Sequence, residues 1–161
     1  MPWADDRGVA ADWLATGRFG AISLGGSRDD VAAAVGPPEV VGGASRRHRL
    51  PAIWKYGDVE LHFDQTGGRL ALIHLDAFDV PSGGHAIALD VGPLRGGQRR
   101  DVIERWLDLV GIAHRLEPAV EEDTVRLATA AGVVLPFIER ASPCSFPPGL
   151  FALSQSVPQT S

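Results

Sequence analysis

The chain has 161 residues, a hydrophobic content of 45 % and a formal net charge of −5. The hydrophobic content excludes a disordered chain, and the acidic balance argues against a nucleic-acid-binding protein, which normally presents a basic face. Cys144 is the only cysteine, which excludes an intramolecular disulfide and a cysteine-based zinc site. No apolar run approaches the ~18 residues of a membrane span, and no secretory signal is recognisable at the start of the chain. We therefore expect a cytoplasmic protein that makes no membrane contact.

The first half of the chain begins with two short helix patterns. An apolar stripe that includes Trp13 and Leu14 predicts a helix within residues 1–18, and residues 19–24 read as a short strand or an extended entry segment. Ser27 and Asp30 have the spacing of a capping box, so a second helix is expected over residues 27–35. Gly36 would end this helix in the left-handed αL conformation, and the prolines that follow prevent its continuation.

Residues 53–76 carry the clearest strand pattern of the chain. Apolar and polar side chains alternate through residues 53–56 and 59–64, and turn residues lie at 57–58 and 65–68. Residues 70–75 are more continuously apolar, as is typical of a central strand covered on both sides. The pattern predicts a three-stranded antiparallel meander, and the Gly-, Ser- and Arg-rich residues 39–52 before it predict a loop.

The same order of elements recurs after a linker at residues 79–84. A helix is expected over residues 98–111, and strands over 113–117, 124–129 and 133–139. A short apolar run at 150–153 and a frayed polar tail at 154–161 would end the chain. We therefore predict an α+β fold of two tandem α-β-β-β units, residues 19–78 and 85–153, with antiparallel sheet or sheets, helices on one face and the other face open. The alternative is one irregular α+β domain whose halves are alike by chance.

A short Ser-capped helix that ends in Gly-Pro, followed by an aromatic-rich strand, Tyr-Gly and a hairpin, resembles a known superfamily. It is similar to the small α-β domains of the SmpA/OmlA outer-membrane-assembly lipoproteins and of the β-lactamase inhibitor protein. The matching residues are Ser27, Asp30, Val31, 35–38, Trp54, Tyr56, Gly57, Leu61, Phe63 and 68–73. The resemblance implies protein binding by a sheet face. No lipobox cysteine stands near the N-terminus, and the disulfides of the secreted inhibitor cannot form.

Two His-x-Asp motifs offer a metal or acid–base site. His62 and Asp64 share one side of their strand, and His74 and Asp76 share one side of the next. Two imidazoles and two carboxylates would suit a divalent metal if all four met. An even turn would place the two histidines on opposite faces, and an odd turn with a bulge at Gly67 or Gly68 would bring them together. The alternative is an ordinary polar sheet face.

Aromatic and charged side chains are the candidates for contacts with a protein partner. Trp54 and Tyr56 would serve either as core packing or as exposed anchors, because large aromatics and arginines dominate interface energetics. The basic loop and the acidic groups would supply charge; these candidates are Arg46, Arg47, Arg49, Glu60, Asp64, Asp76, Glu121, Glu122 and Asp123.

The expected function is that of a non-enzymatic bacterial binding module without a cofactor. It would be an immunity or inhibitor protein, monomer or homodimer, that occludes a basic active site on a toxin or enzyme. The alternatives are a metal-binding protein or metal-dependent hydrolase that uses the His-x-Asp motifs, and a protein that binds a small ligand in the concave side of the sheet.

Overall fold

A computed structural model of the chain describes residues 8–44, 46, 50–118, 123–140 and 148–158. Its helices are α1 (Val9–Thr16), α2 (Arg28–Val35) and α3 (Arg100–Leu109). Its strands are β1 (Val40–Gly42), β2 (Ile53–Tyr56), β3 (Val59–Phe63), β4 (Leu70–Asp76), β5 (His114–Pro118), β6 (Thr124–Thr129), β7 (Val134–Ile138), β8 (Gly149–Leu150) and β9 (Ala152–Ser156).

All nine strands join one open sheet in the order β1-β2-β3-β4-β9-β7-β6-β5, and β8 pairs beside β7. Every pairing is antiparallel. The strands of the first and second halves meet at β9, which lies between β4 and β7. The predicted α+β class is confirmed, and the sheet is continuous across both halves of the chain.

The capping box of α2 is present as predicted. The Ser27 hydroxyl accepts the Asp30 N–H at 3.1 Å, and the Asp30 carboxylate accepts the Ser27 N–H at 2.9 Å. These bonds satisfy two of the amides that the first helical turn leaves free. At the other end, Gly36 has φ +83° and ψ −173° instead of the expected αL geometry, and its carbonyl accepts the Tyr56 hydroxyl at 2.8 Å. The chain thus leaves α2 in an extended positive-φ conformation that favours glycine.

The meander of β2, β3 and β4 lies where the alternation predicts it. Leu61 of β3 stands opposite Trp54 on one side and Ile73 on the other. A β-bulge between His62 and Phe63 shifts the register. Burial alternates along β4, with Leu72, His74 and Asp76 only half-buried. The expectation that β4 is covered on both sides is therefore wrong.

The inner face of the sheet carries the core. It includes the row Tyr56, Val59, Leu75 and Leu153, whose side chains are all buried. All three helices pack on this side: Trp13 of α1 donates to Gln155 at 2.8 Å, Arg28 of α2 stacks over Phe63 at 4.7 Å, and Ile103 and Leu107 of α3 belong to the same core. No described helix is long and apolar enough to cross a membrane.

Two segments of the first half differ from expectation. Residues 19–24 form no strand, because Phe19 and Ile22 close a tight turn by exchanging backbone hydrogen bonds of 3.1 and 2.9 Å. In the predicted loop at residues 39–52, Val40–Gly42 form β1 and pair with β2. Two adjacent β-branched residues make this short segment suitable for a strand despite its glycine-rich neighbours.

The prediction of a frayed tail over residues 154–161 is wrong for residues 154–156, because they belong to β9. This strand pairs with β4 over residues 72–76 and meets β7 where Ser154 faces Val134. Buried Leu153 and Gln155 alternate with the serines, so the segment has a strand period that its polar composition hides.

The linker at residues 79–84 is folded onto the β2–β3 turn. Asp58 donates its N–H to the Ser82 carbonyl at 2.7 Å, and its carboxylate accepts the Ser82 N–H at 2.8 Å. A Cβ at Gly57 would lie 2.4 Å from the Gly84 nitrogen, so only glycine permits this approach.

Candidate protein-binding surfaces

The open face of the sheet is the side opposite the three helices. Cross-strand pairs place one residue from each of eight strands in a single row: Val40, Lys55, Glu60, His74, Ser154, Val134, Ala128 and Arg115. Eight strands spaced at ~4.8 Å make the row about 34 Å long. The charged side chains at its β2–β4 end are 22 to 34 % exposed. This face is wide, and it combines partly exposed charged side chains with apolar residues such as Val134 and the buried Ala128.

Both histidines of the His-x-Asp motifs lie on the open face. Glu60 stands opposite His74, and His62 stands opposite Leu72, so the two imidazoles are diagonal neighbours. The register shift that accompanies this arrangement lies at His62/Phe63 and not at the glycines of the turn. Both imidazoles therefore lie on the side of the sheet that faces away from the helices.

The four residues of the metal hypothesis are not assembled into one site. The Asp64 carboxylate accepts N–H groups of Gly67 and Gly68 in the β3–β4 turn, and these backbone bonds hold the pKa of Asp64 below its ordinary value. His62 instead lies 3.0 Å from Glu60, and His74 lies 2.9 Å from Asp76. Within the described part of the chain, no group of three or more His, Cys, Asp or Glu side chains is placed to hold a metal ion.

The charges of the open face are paired with one another. Lys55 Nζ lies 2.8 Å from Glu60 Oε1, and this hydrogen bond lowers the pKa of Glu60. At the other end of the face, Glu117 binds Arg115 at 2.6 Å and Arg126 at 3.1 Å. Because Glu60 and Glu117 each have a cationic neighbour, these two carboxylates present little uncompensated negative charge to a basic partner.

Tyr56 is a packing residue. Its side chain is 0 % exposed, and burial raises the pKa of its hydroxyl. It alternates with Lys55 and therefore points to the inner face, where its hydroxyl donates to Gly36. The prediction that Tyr56 anchors a partner is wrong, since no partner can reach it without unfolding the core.

Trp54 shares the inner face with Tyr56 but stands nearer its margin. It is half-buried and packs edge-on against Phe63 with ring centroids 5.2 Å apart. It also lines an open cleft of about 820 Å³, which we name the Trp54 cleft. The other lining residues are Ser27, Arg28, Asp29, Leu50, Asp64, Gln65, Thr66, Gly67 and Gly68.

Arg28 was not among the sequence candidates, yet it forms a wall of the Trp54 cleft. Its guanidinium donates to the Pro51 carbonyl at 2.9 Å and stacks over Phe63, so its orientation is fixed. A Cβ at Gly68 would lie 2.9 Å from its Nη1. Nothing in the sequence pattern around Arg28 distinguishes it from an ordinary exposed residue in the first turn of a helix.

The remaining candidates lie in the basic and acidic loops. Arg46 is exposed, whereas Arg47 and Arg49 lie outside the described residues. Asp123 is exposed with φ +63° and lies 3.8 Å from Arg140. Glu121 and Glu122 also lie outside the described residues.

The two His-x-Asp motifs do not form a compact metal site, and Trp54 and Tyr56 do not form an exposed aromatic pair. The protein instead has two separate candidate surfaces, the open face of the sheet and the Trp54 cleft. Comparison of the chain with protein-family models, with curated proteins and with solved structures found no match.

Proposed function

We propose that this protein is a non-enzymatic binding module of the cytoplasm whose open sheet face covers the active site of a partner protein, such as a toxin or an enzyme. The observation that carries the proposal is the row of residues from Val40 to Arg115, which crosses eight strands on the side opposite every described helix. We also propose that the chain consists of two tandem α-β units and that these units are related to the SmpA/OmlA-type domains they resemble.

The size of the open face suits a protein partner. A strand of five residues is ~17 Å long, so the face measures roughly 34 by 17 Å. The resulting area of about 580 Å² is roughly three quarters of the ~800 Å² that each partner contributes to a standard interface, so adjoining loops would have to contribute the rest. A small ligand would need a concave, mostly apolar pocket, whereas this surface is broad and carries charged side chains at both ends.

The composition of the open face indicates the character of the partner surface. Aliphatic side chains that include Leu72, Val134 and Ile138 lie beside mutually paired charges. A partner with mixed polar and apolar groups fits this surface better than the strongly basic site that the overall charge suggests. Binding should accordingly depend only weakly on salt, because the Glu60 and Glu117 carboxylates of this face are already paired with cations.

The test places a large cation at the centre of the open face. Ser154 of the central strand β9 is half-buried on this side, so Ser154→Arg should block a docked protein while leaving the core intact. Ala33→Arg, at an exposed position of α2 on the opposite side of the sheet, is the matched control. The immobilised protein and both variants would be exposed to a lysate of the source organism and to the product of the neighbouring gene.

The proposal expects a protein that is captured by wild type and by Ala33→Arg, lost with Ser154→Arg, and inhibited at one equivalent of the module. Capture that is equal for all three proteins would place the binding surface elsewhere. If no protein is captured in any condition, the binding function itself is wrong.

A further inference from the structure

The Trp54 cleft differs from the open face in shape and in position. It lies at the margin of the inner, helix-bearing side of the sheet, between the start of α2 and the β3–β4 turn. Its volume of about 820 Å³ falls within the ~300–1,000 Å³ of sites that bind small molecules. The cleft therefore has room for a small ligand, which the broad open face lacks.

Arg28 supplies the cleft with a cation that has no carboxylate partner among the described residues. Three arginines of the described chain are half-buried, namely Arg28, Arg100 and Arg126. Arg100 and Arg126 each have a nitrogen within 3.1 Å of a glutamate oxygen. The Arg28 guanidinium instead donates to the neutral carbonyl of Pro51. Because a planar guanidinium is well suited to bind a carboxylate, this exception indicates a place for an anion.

The orientation of the guanidinium is set before a ligand arrives. Its Nε and Nη2 donate to the Pro51 carbonyl at 3.3 and 2.9 Å, and its carbon lies 4.7 Å from the centre of the Phe63 ring. Nη1 has no hydrogen-bond partner within the part of the chain that the structure describes. Gly68 leaves this group uncovered, since a Cβ there would lie 2.9 Å from it. A donor that is already oriented loses little conformational entropy on binding.

Trp54 gives the cleft an aromatic wall. Its indole is half-buried and packs edge-on against Phe63, with ring centroids 5.2 Å apart. The same Phe63 ring thus holds both the indole and the Arg28 guanidinium in place. An indole offers a large rigid surface to a second aromatic ring. One oriented cation and one aromatic wall therefore suit a planar ring that carries an anionic group.

The two carboxylates of the cleft limit the charge of that anion. The Asp64 carboxylate accepts the N–H groups of Gly67 and Gly68, which compensate part of its charge. Asp29 is exposed, so water and salt screen its carboxylate. A monoanion meets one cation and two weakened negative charges. A dianion such as a phosphate monoester would be repelled about twice as strongly by the same carboxylates.

We propose that the Trp54 cleft binds a small aromatic carboxylate, whose oxygens accept hydrogen bonds from Arg28 and whose ring packs against Trp54. This site goes beyond the protein-binding function proposed above and uses none of the residues of the open face. A ligand in the cleft and a protein on the open face would occupy different sides of the sheet.

The probe is 2-naphthoate, accompanied by three compounds that keep its ring and change its charge: neutral 2-naphthamide, cationic 2-naphthylmethylammonium and dianionic 2-naphthyl phosphate. Isothermal titration calorimetry of the full-length protein measures the four affinities. A hydrogen bond to a charged group contributes about a factor of ten or more to affinity, so 2-naphthoate should bind at least about tenfold more tightly than 2-naphthamide. Tighter binding of the cation or of the phosphate than of 2-naphthoate would overturn the proposed ligand class.

Substitutions of opposite sign test the role of Arg28. Arg28→Gln should weaken 2-naphthoate binding about tenfold or more, and Arg28→Lys should weaken it less, because it keeps the charge and loses the planar fork. Asp29→Asn should strengthen binding, since it removes a nearby negative charge. Arg18→Gln, at an exposed position outside the cleft, is the matched control and should change nothing. A general loss of structure would weaken binding in every variant and could not produce this pattern.

Nuclear magnetic resonance locates the bound ring without any substitution. In the ¹⁵N-labelled protein, 2-naphthoate should shift the indole N–H signal of Trp54 and the Nε–H signal of Arg28. The indole N–H of Trp13, which is buried against Gln155, should not move. Shifts that spare Trp54 and Arg28 would place the probe elsewhere and contradict the inference.

The outcome is independent of the open-face proposal. Ser154→Arg, which blocks that face, should bind 2-naphthoate with the affinity of the wild type. If 2-naphthoate does not bind at its solubility limit, or binds no better than 2-naphthamide, the inference about the cleft is wrong. In either case the capture experiment with Ser154→Arg and Ala33→Arg still decides whether the protein binds a partner.

Discussion

The Ser27 hydroxyl and the Asp30 carboxylate each satisfy a backbone amide of the other residue at the start of α2. This helix has only eight residues and buries only Val31 fully, so local bonds contribute much of what keeps it formed. Ser27→Ala removes the cap, and we expect the free energy of unfolding to fall by about 1 kcal/mol. Urea denaturation measures this change.

Ser23→Ala is the control for the loss of a hydroxyl, because Ser23 is exposed and precedes the helix. Equal stability of Ser27→Ala and Ser23→Ala would contradict a stabilising role for the cap.

Glu60 links stability to pH on the open face. The hydrogen bond from Lys55, followed by that from His62, lowers the pKa of Glu60 in the folded protein. A carboxyl whose pKa is lower when folded stabilises the protein above its unfolded pKa of about 4.3, and this contribution is lost as pH falls through the folded pKa. Glu60→Gln should therefore cost at most about 1 kcal/mol at pH 7, the upper range for partly exposed pairs, and close to nothing near pH 3.

Chemical unfolding of wild type and Glu60→Gln at pH 7, 5, 4 and 3 measures this difference. The control repeats the series in a Lys55→Gln background. There, the effect of adding Glu60→Gln should largely disappear, because the main partner of Glu60 is absent. A difference that stays constant from pH 7 to pH 3 would show that the ion pair is not its cause.

At the scale of elements, β9 holds the two halves of the sheet together. It pairs with β4 over five residues, meets β7 at Ser154, and brings Gln155 within 2.8 Å of the buried Trp13 indole nitrogen. A chain that ends at Phe151 would expose the edges of β4 and β7 and leave the Trp13 donor unpaired. We expect this truncated protein to lose its cooperative unfolding transition and to aggregate.

A chain that ends at Pro158 is the matched control, since it keeps every described strand pair. Circular dichroism during thermal unfolding compares the two proteins. A cooperative transition in the chain that ends at Phe151 would show that β9 is dispensable for joining the halves.

At the scale of the whole molecule, one hydrophobic core connects the helices and both halves of the sheet. Leu127 of β6 is fully buried in it, as are Trp13 of α1 and Leu61 of β3. A shared core predicts that both halves unfold together. Leu127→Ala should lower the free energy of unfolding by about 2–5 kcal/mol, and circular dichroism and tryptophan fluorescence should report the same shifted midpoint.

Leu116→Ala in β5 is the control, because this leucine is half-exposed and its truncation should change stability little. If Leu127→Ala split the unfolding curve into two separate transitions, one of them at the wild-type midpoint, the halves would be independent units.

Local chemistry by itself determined much of the secondary structure. The cap at Ser27, the alternation through β2 and β3, and the apolar stripe of α3 depend on residues close in the chain, and these elements lie where the patterns predict them. The alternation also placed Trp54 and Tyr56 on the same face. It could not show that this face is the buried one, because the position of the helices depends on contacts across the whole chain.

Only the tertiary structure decided the features that carry the functional proposals. β9 joins the sheet through partners about 80 residues distant, which no local pattern in its polar sequence reveals. The histidines share the open face because of a bulge at His62/Phe63, and the order of the described strands places β1 at one edge of the sheet and β9 near its centre. The sequence determines which residues form strands; long-range pairing determines which strand ends the sheet and which face stays open.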